Sequence, residues 1–295
     1  MLSRGFSPIE ESYIKSLCPH RPEDGHKGSF GSVLLWAGSM AYSGAAHLCA
    51  SGALRSGVGL VHVLCPAPLT LFLTAKAPPL IVHPLPEGKD ISLLQRFWHE
   101  KAALVLGPGI PPDDEFFKIG LFPSLESAMN ILLDAGALSF VAEHLIEFED
   151  ALLQRKENAL LPPILTPHPG EFLRLFPESD PNNREKDALT FAQKYHCVTV
   201  LKGKRTVIAS PDGRVLVNTT GNNGLSKGGS GDVLSGMMGS FLAQGLAPFE
   251  AACCGVYFHG LAGDLAAESL GRRYMQPTDL ATYLSEAFRI CGWEI

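Results

Sequence analysis

Short apolar runs recur along the chain, each stopped by a glycine or proline and followed by a segment with apolar residues at helical intervals. Val33-Leu34-Leu35-Trp36-Ala37 reads as a buried strand ended by Gly38-Ser39, and Ser43 to Arg55 follows as a helix. Leu60-Val61-His62-Val63-Leu64 is ended by Pro66. Ala103-Leu104-Val105-Leu106 runs into Gly107-Pro108-Gly109, Asn130-Ile131-Leu132-Leu133-Asp134 into Ala135-Gly136, and Ile164-Leu165-Thr166 into Pro167. Continuous apolar strands separated by helices predict a parallel sheet covered on both faces.

The pattern changes after Val198. Val198-Thr199-Val200-Leu201, Thr206-Val207-Ile208-Ala209 and Val215-Leu216-Val217 lie close together, with Pro211-Asp212-Gly213 as a turn between the last two. They predict a short antiparallel meander at one side of the sheet. Helices follow, over roughly Asp232–Gln244, Pro248–Ser269 and Thr278–Ile290. The first is apolar nearly all round and is expected to be buried. With no repeat, low-complexity segment or long linker, the expectation is one α/β domain over 1–295, its core over about 26–290. Ligands of such a sheet bind at the carboxyl ends of its strands.

The composition, 46% hydrophobic and 18% charged, is that of an ordinary globular chain, so it adds nothing against this fold. A net charge of −6 leaves no basic footprint for nucleic acid or an anionic membrane. Seven scattered cysteines without a C-x-x-C spacing read as reduced thiols, not as a disulfide framework or zinc site. Met1-Leu2-Ser3-Arg4-Gly5-Phe6 lacks the pattern of a signal peptide, and no apolar run has membrane-spanning length, so a cytoplasmic location is expected.

Candidate chemistry concentrates in Gly228-Gly229-Ser230-Gly231-Asp232, which opens the first of the late helices. Glycines let backbone N–H groups face a ligand, and a helix start adds unpaired donors that suit phosphate. Asp232 is then placed as a base in phosphoryl transfer. The competing reading is a tight turn with Asp232 as the helix cap.

Other strand ends carry similar signals. Gly38-Ser39 with Gly44-Ala45-Ala46 leaves room for a ligand or permits close helix–sheet packing. In Thr166-Pro167-His168-Pro169-Gly170-Glu171 the prolines restrain His168, a candidate hydrogen-bond donor or acid–base group. Glu171 is placed either to hold a hydrated Mg²⁺ or to cap the next helix. Lys202-Gly203-Lys204-Arg205-Thr206 suits nucleotide phosphates or reads as an exposed hairpin. The P-loop, the dinucleotide G-x-G-x-x-G after a strand, the G-x-S-x-G elbow and H-E-x-x-H do not occur.

Lys27-Gly28-Ser29-Phe30-Gly31, Ala37-Gly38-Ser39 with Gly44-Ala45-Ala46, Leu106-Gly107-Pro108-Gly109, Leu165 to Glu171, Leu201-Lys202-Gly203 and Gly228 to Gly236 occur in one order. In that order they resemble the ADP- or ATP-dependent NAD(P)H-hydrate dehydratases of the ribokinase-like superfamily. The resemblance implies a ribokinase-like three-layer sandwich with a mostly parallel central sheet. It implies dehydration of the S-epimer of hydrated NADH or NADPH, with ADP, less readily ATP, as phosphoryl donor and Mg²⁺ as cofactor. A hydroxide leaves poorly and a phosphate leaves well, so phosphorylating the ring hydroxyl turns a hard elimination into an easy one.

Carried over by position, Asp232 would be the base, and the N–H groups of Gly229, Ser230 and Gly231 would hold the transferring phosphate. Ala45, Gly109, His168 and Asp232 would line the hydrated cofactor. Lys202, Gly203, Lys204, Arg205 and Thr206, with Gly231, would contact the adenine nucleotide. The resemblance also implies a homo-oligomer and a separate NAD(P)H-hydrate epimerase. Asn222-Asn223-Gly224-Leu225-Ser226-Lys227 departs from the Pro-Gly-Met-Ala-type stretch the family often has there; Lys227 would add a phosphate contact or disturb the loop. The alternative enzyme is a ribokinase-like kinase of a small alcohol, such as a vitamin precursor or sugar. The alternative outside catalysis is a nucleotide-binding module.

Overall fold

The computed structural model describes residues 6–85, 90–99 and 102–293, so residues 1–5 of the N-terminal reading lie outside the described residues. Its strands are β1 (Ser7–Pro8), β2 (Ser32–Trp36), β3 (Leu60–Cys65), β4 (Ile81–Pro84), β5 (Ala102–Leu106), β6 (Asn130–Leu133), β7 (Ile164–Leu165), β8 (Val198–Leu201), β9 (Val207–Ala209) and β10 (Val215–Val217). Its helices begin with α1 (Glu11–Ser16), α2 (Ser43–Arg55), α3 (Leu69–Lys76), α4 (Ser92–Gln95), α5 (Glu115–Leu125) and α6 (Gly136–Glu143). They continue with α7 (Leu145–Glu157), α8 (Pro169–Leu175), α9 (Arg184–Lys194), α10 (Ser230–Ala243), α11 (Pro248–Leu270) and α12 (Pro277–Ile290).

Among the described residues the strands form one sheet in the order β1-β10-β9-β8-β7-β6-β5-β2-β3-β4. Pairing is parallel from β8 through β7, β6, β5, β2 and β3 to β4. The meander is where the pattern change places it, with β9 antiparallel to both β8 and β10. The N-terminal β1 pairs in parallel with β10 and lies beyond the meander.

Side chains alternate between two cores, as period-2 strands require. Val33, Leu35, Val61, Val63, Val105 and Leu132 pack with α2, α10, α11 and α12 on one face. Leu34, Trp36, Leu64, Leu104, Leu106 and Leu133 pack with α5 to α9 on the other. The result is the expected three-layer sandwich with a mostly parallel sheet. From Val233 to Ala243 every residue of α10 is buried. That helix lies tightly on α2: a Cβ on Gly236 would come within 1.9 Å of the Cys49 carbonyl oxygen.

Chain order runs from β2 out to β4, then returns to β5 and proceeds the other way through β8. The switch between β2 and β5 opens a crevice at the strands' carboxyl ends. Gly38, Gly109, Asp134, Thr166 and Lys202 all follow strands that end there.

Candidate active site

The glycine turn stands over this crevice. Gly229 is the N-cap of α10 with φ +97°, a left-handed conformation, and no side chain caps the helix. Asp232 is therefore not a cap; it projects from the helix's first turn. Open space lies over Gly228, where a Cβ would meet nothing within 4 Å. Of the N–H groups expected to face an anion, that of Ser230 donates to the Lys227 carbonyl at 3.2 Å. The N–H groups of Gly231 and Asp232 lie in the first turn, where the helix supplies no acceptor.

Beside Asp232 is a buried polar cluster drawn from three strand ends and two helices. Asp134, 1% exposed, accepts from Lys202 Nζ at 2.8 Å and from Ser235 Oγ at 2.7 Å. A Cβ on Gly231 would lie 3.6 Å from the same ammonium. Burial works against the Asp134 charge, but Lys202 and the hydroxyls of Ser235 and Thr166 outweigh it and hold the carboxyl below its usual range. Asp232 goes the other way: burial, reinforced by the negative charge of Asp134, pushes it up to about 7. Burial also raises Glu171, against the pull of Lys202.

His168 is held in place, though not by the prolines alone. Its Nδ1 accepts from Gly170 N at 3.0 Å and Glu171 N at 3.3 Å, and its own N–H donates to Glu171 Oε2 at 2.8 Å. This is a reciprocal helix cap, and it settles one alternative for Glu171. With Nδ1 accepting, the neutral ring carries its proton on Nε2, and the side chain is 52% exposed. Ala45 and Gly109 meet across the crevice: Gly109 has φ +68°, and a Cβ there would come within 2.5 Å of Ala45 Cβ. Gly38 packs against Ala46 in the same way, whereas Gly44 faces open space.

The Lys202–Thr206 loop follows β8, and its backbone is bound to the end of β7 through Lys202 N to Pro167 O at 2.9 Å. Arg184 at the start of α9 donates to the carbonyls of Leu201 at 3.0 Å, Lys202 at 3.1 Å and Lys204 at 2.9 Å. Arg205 and Thr219 line an open cavity of about 440 Å³ with Pro8, Ile9 and Glu10. The Lys227 ammonium is engaged by the protein itself, donating to the carbonyls of Arg273 and Met275.

The structure thus gathers Gly231, Asp232 and Lys202 with Asp134 and Ser235, and it brings Ala45 against Gly109. The exposed His168 and Lys204 stand outside the buried cluster. Asp134, Ser235 and Arg184 are additions that sequence reasoning lacked. The available signal was a carboxylate at a strand end, followed by Ala-Gly, where other candidate strands also end. His259 is a fourth: buried, held near 4 by that burial, it donates from Nε2 to the Ser230 carbonyl at 2.9 Å.

A family model described as NAD(P)H-hydrate dehydratase matches residues 33–286. A bifunctional NAD(P)H-hydrate repair enzyme of Gloeobacter violaceus is 40% identical over 83% of this chain and 47% of its own length. An ADP-dependent (S)-NAD(P)H-hydrate dehydratase of Bacillus subtilis is 35% identical over 86% of this chain and 88% of its own. The chain spans about half the length of the bifunctional curated relatives it matches. Among solved structures, the ADP/ATP-dependent NAD(P)H-hydrate dehydratase of Bacillus subtilis co-crystallized with ATP/Mg²⁺ superposes with TM-score 0.81 at 28% identity, over 98% of this chain and 100% of that one. A ribokinase of Thermotoga maritima, at 14% identity and TM-score 0.50 over 86% of this chain and 98% of that one, shares the fold alone.

Proposed function

The chain belongs to the NAD(P)H-hydrate dehydratase family, and from that premise we propose that it restores hydrated NADH or NADPH at the expense of an adenine nucleotide. The substrate is the S-epimer, the donor ADP in preference to ATP, and the products are NAD(P)H, phosphate and, from ADP, AMP. The names of the Bacillus subtilis relatives support the nucleotide and the epimer. The observation that carries the reading is the placement of Asp232 in the first turn of α10, beside the left-handed Gly229 and the Lys202 ammonium.

Asp232 takes the proton from the ring hydroxyl. Its carboxyl, pushed up to about 7, is a stronger base than a solvated aspartate and is still largely ionised just above neutrality. The N–H groups of Gly229 and Gly231, with Lys202, face the phosphoryl group in transfer. Ser230 supports the turn through its bond to Lys227. Ala45 and Gly109 form a close, small-residue wall for the nicotinamide ring, and His168 Nε2–H is a donor for its carboxamide. Lys202 to Thr206 receive the rest of the nucleotide.

Among the described residues no group of three or more His, Cys, Asp or Glu side chains is arranged to hold a metal ion. The fit is instead to a hydrated Mg²⁺ carried by the phosphates, which keeps most of its waters. Glu171, with Oε1 3.4 Å from His168 Nε2, is the carboxylate that would face such waters. Bound there, Mg²⁺ would neutralise phosphate charge.

The chain as one domain, a homo-oligomer, and a functional pairing with an NAD(P)H-hydrate epimerase complete the proposal. The bifunctional names of the relatives support that last pairing. No described helix is long and apolar enough to cross a membrane. The buried cysteines Cys49, Cys65, Cys197, Cys253, Cys254 and Cys291 are free thiols, which supports a reducing, cytoplasmic setting. The test is near-ultraviolet absorbance of hydrated NADH with Mg²⁺ and ADP, ATP or no nucleotide. Nucleotide-dependent return of the dihydronicotinamide band is expected. A stable phosphorylated small alcohol as product, with no return of the band, would instead establish the kinase.

A further inference from the structure

Asp134 has no part in the roles assigned so far, yet several features of the fold converge on it. Its N–H donates to the Leu106 carbonyl at 3.0 Å, which continues the β5·β6 ladder one residue past the strand. The next residue, Ala135, has φ +48°, an unfavourable conformation for a residue with a Cβ. That bend sends the chain into α6 and leaves the Asp134 carboxylate inside the crevice. Both carboxylate oxygens are engaged, Oδ1 by Lys202 and Oδ2 by Ser235.

A buried ion pair is poor value as a stabiliser, because desolvation cancels most of the attraction. This one also places a negative charge beside Asp232 and raises its proton affinity. What the pair does provide is position. Lysine carries its charge on a flexible four-carbon stem, so its ammonium has no fixed place without a partner. Here the ammonium is fixed over Gly231, at the mouth of the glycine turn. Charges from every surrounding element bear on it: Asp134 after β6, Glu171 on α8 and Asp232 on α10. Asp134 is the one in direct contact.

We infer that Asp134 is a positioning residue, holding the Lys202 ammonium where the transferring phosphoryl group is received, with Ser235 steadying the carboxylate from α10. The inference rests on the dehydratase reading. Asp134 touches no reacting atom, and at a pH well above 7, where Asp232 is ionised with or without its neighbour's charge, its effect on turnover passes through Lys202.

A double-mutant cycle tests this, using Asp134→Asn, Lys202→Met, the double variant and wild type in the absorbance assay. Asp134→Asn is expected to lower kcat by about 10- to 100-fold, with KM for the hydrated cofactor within about twofold of wild type. In the Lys202→Met background the same substitution should change kcat by less than about twofold. Ser235→Ala keeps every charge and should lower kcat by about three- to tenfold, again only while Lys202 is present. Should Asp134→Asn fail to fold by circular dichroism, the Ser235→Ala pair decides by the same criterion. Losses that multiply with that of Lys202→Met overturn the inference, because a merely structural role adds to any other defect. A wild-type protein without nucleotide-dependent turnover overturns the dehydratase reading and this inference with it. An active wild type with multiplying losses overturns the inference alone.

Discussion

Asp232→Asn should kill turnover and at the same time make the folded protein more stable. Burial and the charge of Asp134 raise the Asp232 carboxyl from 3.8 to about 7. In the unfolded chain it titrates in the ordinary carboxylate range. The protonated form fits the fold without penalty, so stability is fully present below the unfolded value. It is lost as the pH rises toward about 7, and above that the loss is constant. At ~1.36 kcal/mol for each unit, a shift of roughly three units corresponds to about 4 kcal/mol as an upper bound. Partial solvent access and the favourable helix N-terminus reduce it to about 2–3 kcal/mol. Asparagine has the same shape and no charge, and at about 2–4 °C per kcal/mol its variant should melt roughly 4–12 °C higher at alkaline pH. The assay is thermal melting of both proteins across the acid-to-alkaline range. The gap should shrink steadily as the pH falls below about 7. A variant that melts no higher than wild type above neutrality, or a gap that ignores pH, refutes the electrostatic account of Asp232. Activity retained by the variant would refute its role as base.

Other substitutions separate stability from function. Arg155 is 1% exposed and donates to the carbonyls of Leu125, Ser127, Met129 and Leu161. Arg155→Met should cost about 3–5 kcal/mol in urea unfolding and leave both KM values unchanged; a loss below about 1 kcal/mol would refute its bracing role. Gly229→Ala forces a Cβ into a left-handed residue and to within 2.4 Å of Leu48 Cδ1. It should cost about 1–3 kcal/mol and lower kcat sharply, with wild-type kcat as the refuting result. Arg184→Met releases the carbonyls that shape the Lys202–Thr206 loop. It should raise KM for the nucleotide about tenfold, with KM for the hydrated cofactor unchanged; equal shifts in both would refute a role confined to the nucleotide loop.

The parts of this molecule that were legible in its sequence are those in which neighbours along the chain cooperate. The glycine turn and Asp232 lie within five consecutive residues, and the buried character of α10 shows in its uniform apolarity. The strands β2, β5 and β6 appear as apolar runs because both of their faces are covered. Asp134 was not legible as a site residue, because its partners lie 68 and 101 positions away. Only the parallel ladder from β6 to β8 and the packing of α10 bring them together. Arg184 reads as an ordinary charged helix residue until the fold sets it against the carbonyls of the Lys202–Thr206 loop. β1 and β4 lie at the two edges of the sheet and hold no fully buried residue, so they lack the apolar run that two covered faces impose. Glu171 allowed two readings because capping and cation binding want the same residue at the same place; the cap is visible only in the hydrogen bonds.

The charges around Lys202 make a last prediction possible. Three carboxylates, Asp134, Glu171 and Asp232, act on one ammonium. Asp134 has first claim by contact and stays ionised, so protons that enter the site go to the raised pair, Asp232 and Glu171. The proposed role of Asp232 as base requires its deprotonated form, so kcat/KM, which reports the free enzyme, should climb through an acid limb near pH 7 and then level. A bound nucleotide adds negative charge beside Asp232 and moves the limb of kcat upward. Mg²⁺ on the phosphates offsets that charge and brings it back. Profiles of kcat/KM and kcat, the latter at limiting and saturating Mg²⁺, should therefore show a kcat limb that falls as Mg²⁺ rises while the low-substrate limb stays near neutrality. A rate that is flat from acid to neutral pH would mean that Asp232 is ionised throughout, and the electrostatic burial argued for it would be wrong.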